Sequence, residues 1–199
     1  NAHPKFDPAT GEMHVVGYTF GDSLLRYHVI DAAGHLARST EIALGGPVMV
    51  HDMALTPTWA VAFDLPVRFS MDAAVAGKGL PYRWDPNYTP RVGLVPREGP
   101  GADTVWFELA EPGYVYHVLN SFDGDDGSVA IDLVVHPRAF DDAERGDPSQ
   151  GIPSMQRWVL DPAARTVTTT VIDDRGQEFP RADERRAGQP YRYGYSVGV

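Results

Sequence analysis

The chain has 199 residues, a hydrophobic fraction of 43% and a net charge of -10, so it is acidic and long enough for one sizeable core. It contains no cysteine, which excludes disulfides and thiolate ligands and leaves His, Asp and Glu for any metal. No basic run points to nucleic acid, and no apolar run approaches the roughly 18 residues of a membrane-spanning helix. We expect a cytoplasmic protein without a nucleic-acid partner. Peripheral contact with a membrane is compatible with the sequence.

Short runs rich in β-branched and aromatic residues recur along the chain, separated by turn clusters such as DPATGE, FDGDDGS and DDRGQE. They predict strands, in chain order, at 13–20, 24–31, 41–44, 59–67, 91–97, 104–110, 113–120, 128–136, 156–161 and 166–172. The segment SMDAAVAGKG (70–79) predicts a short helical turn, and the acidic stretch 140–153 predicts a long surface loop. The pattern favours an all-β fold, either a sandwich, a barrel or a propeller, of which the strands would fill about four blades.

Seven histidines are candidate metal ligands. Four of them have settings typical of surface or satisfied core histidines, namely His14, His28, His35 and His136. His3, His51 and His117 each lie at the edge of a strand or turn, with small or apolar neighbours. Three histidines from such distant strand ends meet at one centre only in a radially arranged fold such as a propeller. The spacing alone does not decide between a shared metal site and three separate structural histidines.

The segments around these three histidines resemble those of a known family. NAHPKFDPATGE (1–12), HDMALTPTWAVAFDLP (51–66) and YHVLNSFD (116–123) are similar to the AHPK-DP-TGE, HDFA and HxxNAYE segments of the carotenoid cleavage oxygenases. PYRWDPNYTPRVGLVPR (81–97) and QEFPRADERRAGQPYRYGY (177–195) resemble two further segments. The five motifs follow the family's order along the whole chain. The family includes carotenoid, apocarotenoid and lignostilbene dioxygenases and the retinoid isomerohydrolase.

This resemblance implies a seven-bladed β-propeller, of which residues 1–199 are the central portion of a single oxygenase domain, with N-terminal and C-terminal parts missing. It implies an Fe(2+) ion held by four histidines, with His3, His51 and His117 as the first three and the fourth outside this chain. It further implies that Glu178 orients a ligand through its second ring nitrogen, and we pair Glu178 with His117. The alternative for Glu178 is a surface residue of the DDRGQE turn.

The implied activity is cleavage of a conjugated carbon-carbon double bond by O2, giving two carbonyl products from a carotenoid, apocarotenoid or stilbene. The same iron site could instead act as a Lewis acid in a retinoid-type isomerisation or hydrolysis, and a non-catalytic propeller fragment is a further alternative. An apolar conjugated substrate needs an apolar cleft, for which Phe63 and Phe122 are our candidates because each follows soon after a histidine. The alternative is that both are ordinary core residues, as aromatic residues in strands commonly are.

Overall fold

The computed structural model describes residues 3–77, 79–141 and 149–199, and these residues form an almost entirely β structure. Helix α1 covers Met71–Ala76, and 3-10 turns cover Gly101–Asp103 and Glu184–Arg186. None of the helices in these three ranges is long and apolar enough to cross a membrane. The strands in chain order are β1 (Lys5–Phe6), β2 (Met13–Tyr18), β3 (Leu24–Ile30), β4 (Leu36–Ala43), β5 (Ala54–Leu55), β6 (Trp59–Asp64), β7 (Val67–Phe69), β8 (Tyr82–Trp84), β9 (Arg91–Pro96), β10 (Val105–Glu108), β11 (Tyr114–Asp123), β12 (Val129–His136), β13 (Ser154–Asp161), β14 (Thr166–Asp173), β15 (Gln177–Ala182) and β16 (Gly194–Gly198).

The strands form a series of antiparallel sheets that follow one another along the chain. The first sheet has the order β1-β2-β3-β4, the second β5-β6-β9-β10 and the third β11-β12-β13-β14. Strands β15 and β16 pair as a further two-stranded sheet, and β7 pairs with β8 in a hairpin inserted between β6 and β9. Each four-stranded sheet is built from neighbours in sequence, apart from that insertion. This arrangement confirms the predicted all-β class and is the one expected of propeller blades.

The hydrophobic cores lie between successive sheets. One core joins residues of the second and third sheets, and the other joins residues of the first and second sheets. Strand β6 shows why: Val61 and Phe63 belong to one core, while Ala60 and Ala62 on the opposite face belong to the other. The second sheet is therefore buried on both faces, so its strands read as continuous apolar runs rather than alternating ones.

Two sheets repeat the same buried charge arrangement. Asp64 on β6 and Asp132 on β12 are fully buried, and each accepts hydrogen bonds from an arginine directly opposite on the next strand and from a tyrosine hydroxyl. The partners are Arg91 and Tyr88 for Asp64, and Arg157 and Tyr191 for Asp132. A buried carboxylate is tolerated only when it is paired and hydrogen-bonded, and both sheets solve this in the same way.

Two expectations from the sequence need correction and one is confirmed. The predicted strand 59–67 is interrupted at Leu65 and Pro66, where the chain passes from β6 to β7, because proline cannot donate to a strand ladder. The predicted loop 140–153 begins in the core, since Phe140 is only 3% exposed; residues 142–148 lie outside the described ranges. The helical turn is confirmed as α1, with the Ser70 side chain accepting from the Ala73 N–H and Gly77 ending it at φ 63.

Candidate metal centre

Three histidines come together where the first strands of successive sheets lie side by side. His3 precedes β1, His51 precedes β5 and His117 lies within β11. Their ring centroids are 4.9 Å apart for His3 and His51, 4.7 Å for His3 and His117, and 5.3 Å for His51 and His117. One ring nitrogen from each lies within 4.8 Å of the others, which is close enough for one ion to contact all three.

A single carboxylate links the three segments that carry these histidines. Asp52, next to His51, is only 2% exposed and forms an ion pair of 2.8 Å with Lys5, two residues after His3. Its Oδ2 accepts from the N–H of Val118, next to His117, at 2.8 Å, and its Oδ1 accepts from its neighbour Met53 at 2.6 Å. Asp52 therefore links the three histidine-bearing strand ends.

Asn120 fastens β11 to the segment that follows β15. Its side-chain amide donates to the carbonyl oxygens of Arg186 (2.9 Å) and Gln189 (3.0 Å), and its Oδ1 accepts from the N–H of Gly188 (3.1 Å). One residue later, the Ser121 hydroxyl donates to the carbonyl of Leu55 on β5. Asn120 and Ser121 therefore bind backbone groups on both sides of β11.

Glu178 contacts His117, as the resemblance implied. Its Oε2 lies 2.6 Å from Nδ1 of His117, and Glu178 is 6% exposed rather than a surface residue. The same oxygen accepts from the N–H of Phe179, whose φ of 51° is in the left-handed region and whose position coincides with an irregularity in the β15–β16 pairing. Since a bulge re-aims side chains, this backbone turn helps to direct Glu178 inward.

The other oxygen of Glu178 contacts His136, a histidine that no sequence motif singled out. Nε2 of His136, at the end of β12, lies 2.5 Å from Oε1 of Glu178, and Nδ1 of His136 lies 2.6 Å from the hydroxyl of Ser149. The side chains thus form one hydrogen-bonded chain, Ser149–His136–Glu178–His117. A carboxylate only accepts, so both histidines donate to Glu178, and in the neutral tautomer with the proton on Nδ1 the Nε2 of His117 is the atom that a metal can bind.

The protonation states of these groups suit a cation. Burial, together with the nearby His3 and His117, lowers the pKa of His51 to about 4. Burial also lowers the pKa of His3, against an opposing effect of Asp52. For Glu178, burial acts to raise the pKa of the carboxyl, but hydrogen bonds from His117 and His136 outweigh it and lower that pKa to about 2. At neutral pH the two rings are therefore neutral and Glu178 is ionised, which are the states a metal ligand set requires.

The immediate surroundings combine apolar rings with an opening. The ring of Phe179 lies 5.0 Å from that of His117 and is 61% exposed, and Tyr116 stands edge-on to His51 at 5.3 Å. A pocket of about 290 Å³ opens beside His3 and is lined also by Leu119 and Pro180. The donor set thus lies at an accessible place with apolar groups at hand.

The two phenylalanines expected to line a cleft lie elsewhere. Phe63 is 2% exposed and packs in the core, with its ring 6.2 Å from that of Trp158. Phe122 is half-buried with the guanidinium of Arg157 over its ring at 5.5 Å. Neither lines the pocket beside His3. Phe63 lies on β6, one strand beyond the strand that follows His51, and Phe122 lies past the irregular part of β11 that contains His117, so following a histidine in sequence does not place either ring beside it.

A second cluster of possible metal ligands surrounds an arginine side chain instead. Asp7, Glu12 and His14 each offer an atom within 4.8 Å of the others. Arg97 lies among them, 2.7 Å from Asp7, 3.2 Å from Glu12 and 3.1 Å from Nε2 of His14, whose Nδ1 meets the hydroxyl of Tyr27 at 2.7 Å. The guanidinium supplies the positive charge this cluster needs. His14 is thus a satisfied core histidine, as its place in an alternating strand predicted.

Comparison with known proteins agrees with the motifs. The family model described as retinal pigment epithelial membrane protein matches residues 1–199. A carotenoid cleavage oxygenase of Mycobacterium tuberculosis (strain CDC 1551 / Oshkosh) is 36% identical over 240 residues, which cover 100% of this chain and 48% of that protein. The crystal structure of Pseudomonas brassicacearum lignostilbene dioxygenase superposes with a TM-score of 0.88 at 30% identity, covering 99% of this chain and 43% of that one.

A further similar structure is that of a cobalt-substituted protein. Cobalt-substituted Synechocystis ACO superposes with a TM-score of 0.84 at 25% identity, covering 100% of this chain and 44% of that one. The chain spans less than half the length of these relatives. The resemblance inferred from the five segments is confirmed over the full length given. The chain therefore belongs to the retinal pigment epithelial membrane protein family, the family of the carotenoid cleavage oxygenases.

Proposed function

We propose that the full-length protein is an Fe(II)-dependent dioxygenase that cleaves a conjugated carbon-carbon double bond with O2. The observation that carries this is the convergence of His3, His51 and His117, one ring nitrogen from each within 4.8 Å, with Glu178 bound to the far side of His117. Family membership supports the reaction class. In this reaction one oxygen atom goes to each of two carbonyl products, so no external reductant is needed.

Iron fits the donor set. Neutral imidazole nitrogens are good ligands for iron, and the chain has no cysteine thiolate to compete with them. His3, His51 and His117 would hold the ion, and a fourth histidine would come from a part of the protein outside residues 1–199. The bound iron would supply the site at which O2 is activated next to the substrate.

The groups of this chain have defined tasks in the proposed reaction. Glu178 accepts from Nδ1 of His117, so that the unprotonated Nε2 would be the atom that holds the ion. Asp52 holds the three strand ends at constant spacing through Lys5 and Val118. The exposed ring of Phe179 offers an apolar surface beside His117. Such preorganisation matters because loss of correct geometry at a metal centre is costly to activity.

The remaining expectations belong to this proposal. Residues 1–199 would be the central portion of one seven-bladed propeller, whose other blades complete the substrate cleft. The substrate class would be a carotenoid, an apocarotenoid or a stilbene, in keeping with the names of the oxygenases it is similar to. A cytoplasmic location is proposed. A role for Phe63 and Phe122 in the cleft stays a prediction, which their positions do not favour.

The proposal is tested with the Fe(II)-loaded full-length protein and three substrates, an apocarotenal, β-carotene in micelles and a hydroxystilbene. Loss of the conjugated absorbance and uptake of O2 are recorded together, with the His51→Ala variant as control. Bleaching matched by O2 uptake, absent in the variant, is the expected result. Iron retention without bleaching or O2 uptake would contradict the dioxygenase and favour Lewis-acid isomerisation or hydrolysis. Absence of bound iron would favour a non-catalytic propeller.

A further inference from the structure

Both oxygens of the Glu178 carboxylate are held by histidines from different strands. Oε2 contacts Nδ1 of His117 on β11 at 2.6 Å, and Oε1 contacts Nε2 of His136 on β12 at 2.5 Å. Glu178 itself lies on β15, in the next sheet along the chain. The carboxylate thus connects two sheets through two hydrogen bonds, and His136 provides one of them.

The surroundings of His136 fix its ring in one orientation. The residue is 3% exposed, it pairs with Tyr114 across the β11–β12 ladder, and its ring stands edge-on to Tyr116 at 4.9 Å. Its Nδ1 meets the hydroxyl of Ser149 at 2.6 Å. The neutral tautomer with the proton on Nε2 satisfies both contacts, because Nε2 then donates to the carboxylate and Nδ1 accepts from the Ser149 hydroxyl.

We propose that His136 is a positioning residue of the metal centre, which acts on His117 by holding the Glu178 carboxylate in the orientation that His117 needs. This inference rests on the proposed function in that it requires His117 to bind a metal. A satisfied core histidine would explain burial and two hydrogen bonds. It would not explain why one bond goes to the partner of a candidate ligand, where it reaches across 42 residues.

The physical reason is the cost of a half-satisfied buried carboxylate. Without the donor at Oε1, a carboxylate that is 6% exposed keeps one oxygen without its charge-assisted hydrogen bond. The side chain then gains by turning toward water, which pulls Oε2 away from His117. Mutation of a residue that hydrogen-bonds a metal ligand typically lowers metal affinity or activity by about 10–100-fold. We expect loss of His136 to lower metal affinity by an amount at the lower end of this range, because His136 acts through Glu178.

The test uses two amide variants of the full-length protein, which differ in where they place the donor. In His136→Gln the amide nitrogen takes the place of Nε2 and still reaches Glu178. In His136→Asn it takes the place of Nδ1, which keeps Ser149 as a partner but not Glu178. His28→Asn, the same substitution on β3 of the first sheet, is the matched control. Circular dichroism and thermal unfolding confirm that each variant is folded.

Metal affinity is measured by titration with Co(II), whose visible absorption also reports the geometry at the ion. We expect His136→Asn to weaken Co(II) binding by about tenfold and to change the absorption envelope. His136→Gln and His28→Asn should stay within about threefold of the unsubstituted protein and keep its spectrum. Equal losses in the Asn and Gln variants, or no loss in either, would overturn the proposal while leaving the iron site in place. An unsubstituted protein that binds no Co(II) would refute the metal site itself.

A double-mutant cycle separates action through Glu178 from a general structural effect. If His136 acts only through the carboxylate, His136→Asn has no further effect on Co(II) affinity in a Glu178→Ala background. Independent, multiplying losses would contradict the inference. The cycle compares variants with the same parent, so it stays informative even where Glu178→Ala lowers affinity strongly.

Discussion

Asp52 is the residue whose replacement should disturb the centre most through structure alone. In Asp52→Asn the side-chain shape is kept, but the charge that pairs with Lys5 is lost, and one acceptor oxygen becomes a donor. That amide group must then face either Lys5 Nζ or the Val118 N–H, both of which are donors at 2.8 Å from the present carboxylate. No orientation of the amide satisfies all three present partners.

The size of the effect follows from these contacts. Hydrogen bonds to a charged group contribute about 1.5–3 kcal/mol each, and removing one partner of a buried ion pair costs about 3–5 kcal/mol. Lys5 is 23% exposed and can be partly rehydrated, so the two effects do not simply add. We expect Asp52→Asn to lower the free energy of unfolding by about 3–5 kcal/mol.

The assay is urea unfolding of the metal-free full-length protein. Asp141→Asn is the control, because the Arg138–Asp141 pair is exposed (54% and 36%) and the same substitution there should cost less than about 1 kcal/mol. If Asp52→Asn were no more destabilising than Asp141→Asn, the carboxylate would not be the link between the three strand ends, and that reasoning would be refuted.

Two further predictions concern the core. Burial and the charge of Arg97 lower the pKa of His14 to about 4, so the unfolded chain binds the proton first as pH falls. Stability should therefore decrease by about 3 kcal/mol between pH 6.5 and 4 on account of His14, and His14→Gln should flatten the pH profile of urea unfolding; an unchanged profile contradicts this. Phe63→Ala should cost about 3–5 kcal/mol, because the ring is 2% exposed against Trp158, whereas unchanged stability with an altered KM would support a cleft role.

The longer strands were predictable because they carry their own signal. Strand β3 alternates between buried and half-buried residues over Leu24–Ile30, and β12 is buried at every position and mostly apolar. Strands β1 and β5 have only two residues each, too few for a period to show. Strand β15 contains Pro180 and β16 contains two glycines, which both weaken a strand prediction. Of the strands beside the three histidines, only β11 was therefore predicted from its own pattern, and the meeting of the three histidines was accessible only through resemblance.

Long-range pairing explains the rest of what the sequence did not show. His136 reads as the end of a buried strand, and its contact to Glu178 across 42 residues has no local signature. The repeated buried aspartates are hidden for a similar reason. Asp64 and Asp132 precede their arginines by 27 and 25 residues, but their tyrosines lie 24 and 59 residues away. The repeat exists in space without a fixed period along the chain.

The most direct test of the metal centre is the iron content of the full-length protein with His51→Ala, compared with His35→Ala. His35 is the matched control because its side chain is 80% exposed and lies in a turn. The account predicts that His35→Ala binds iron like the unsubstituted protein and that His51→Ala loses both iron and O2-dependent cleavage while keeping its fold. Unchanged iron content and turnover in His51→Ala would contradict the assignment of His3, His51 and His117 as one metal site.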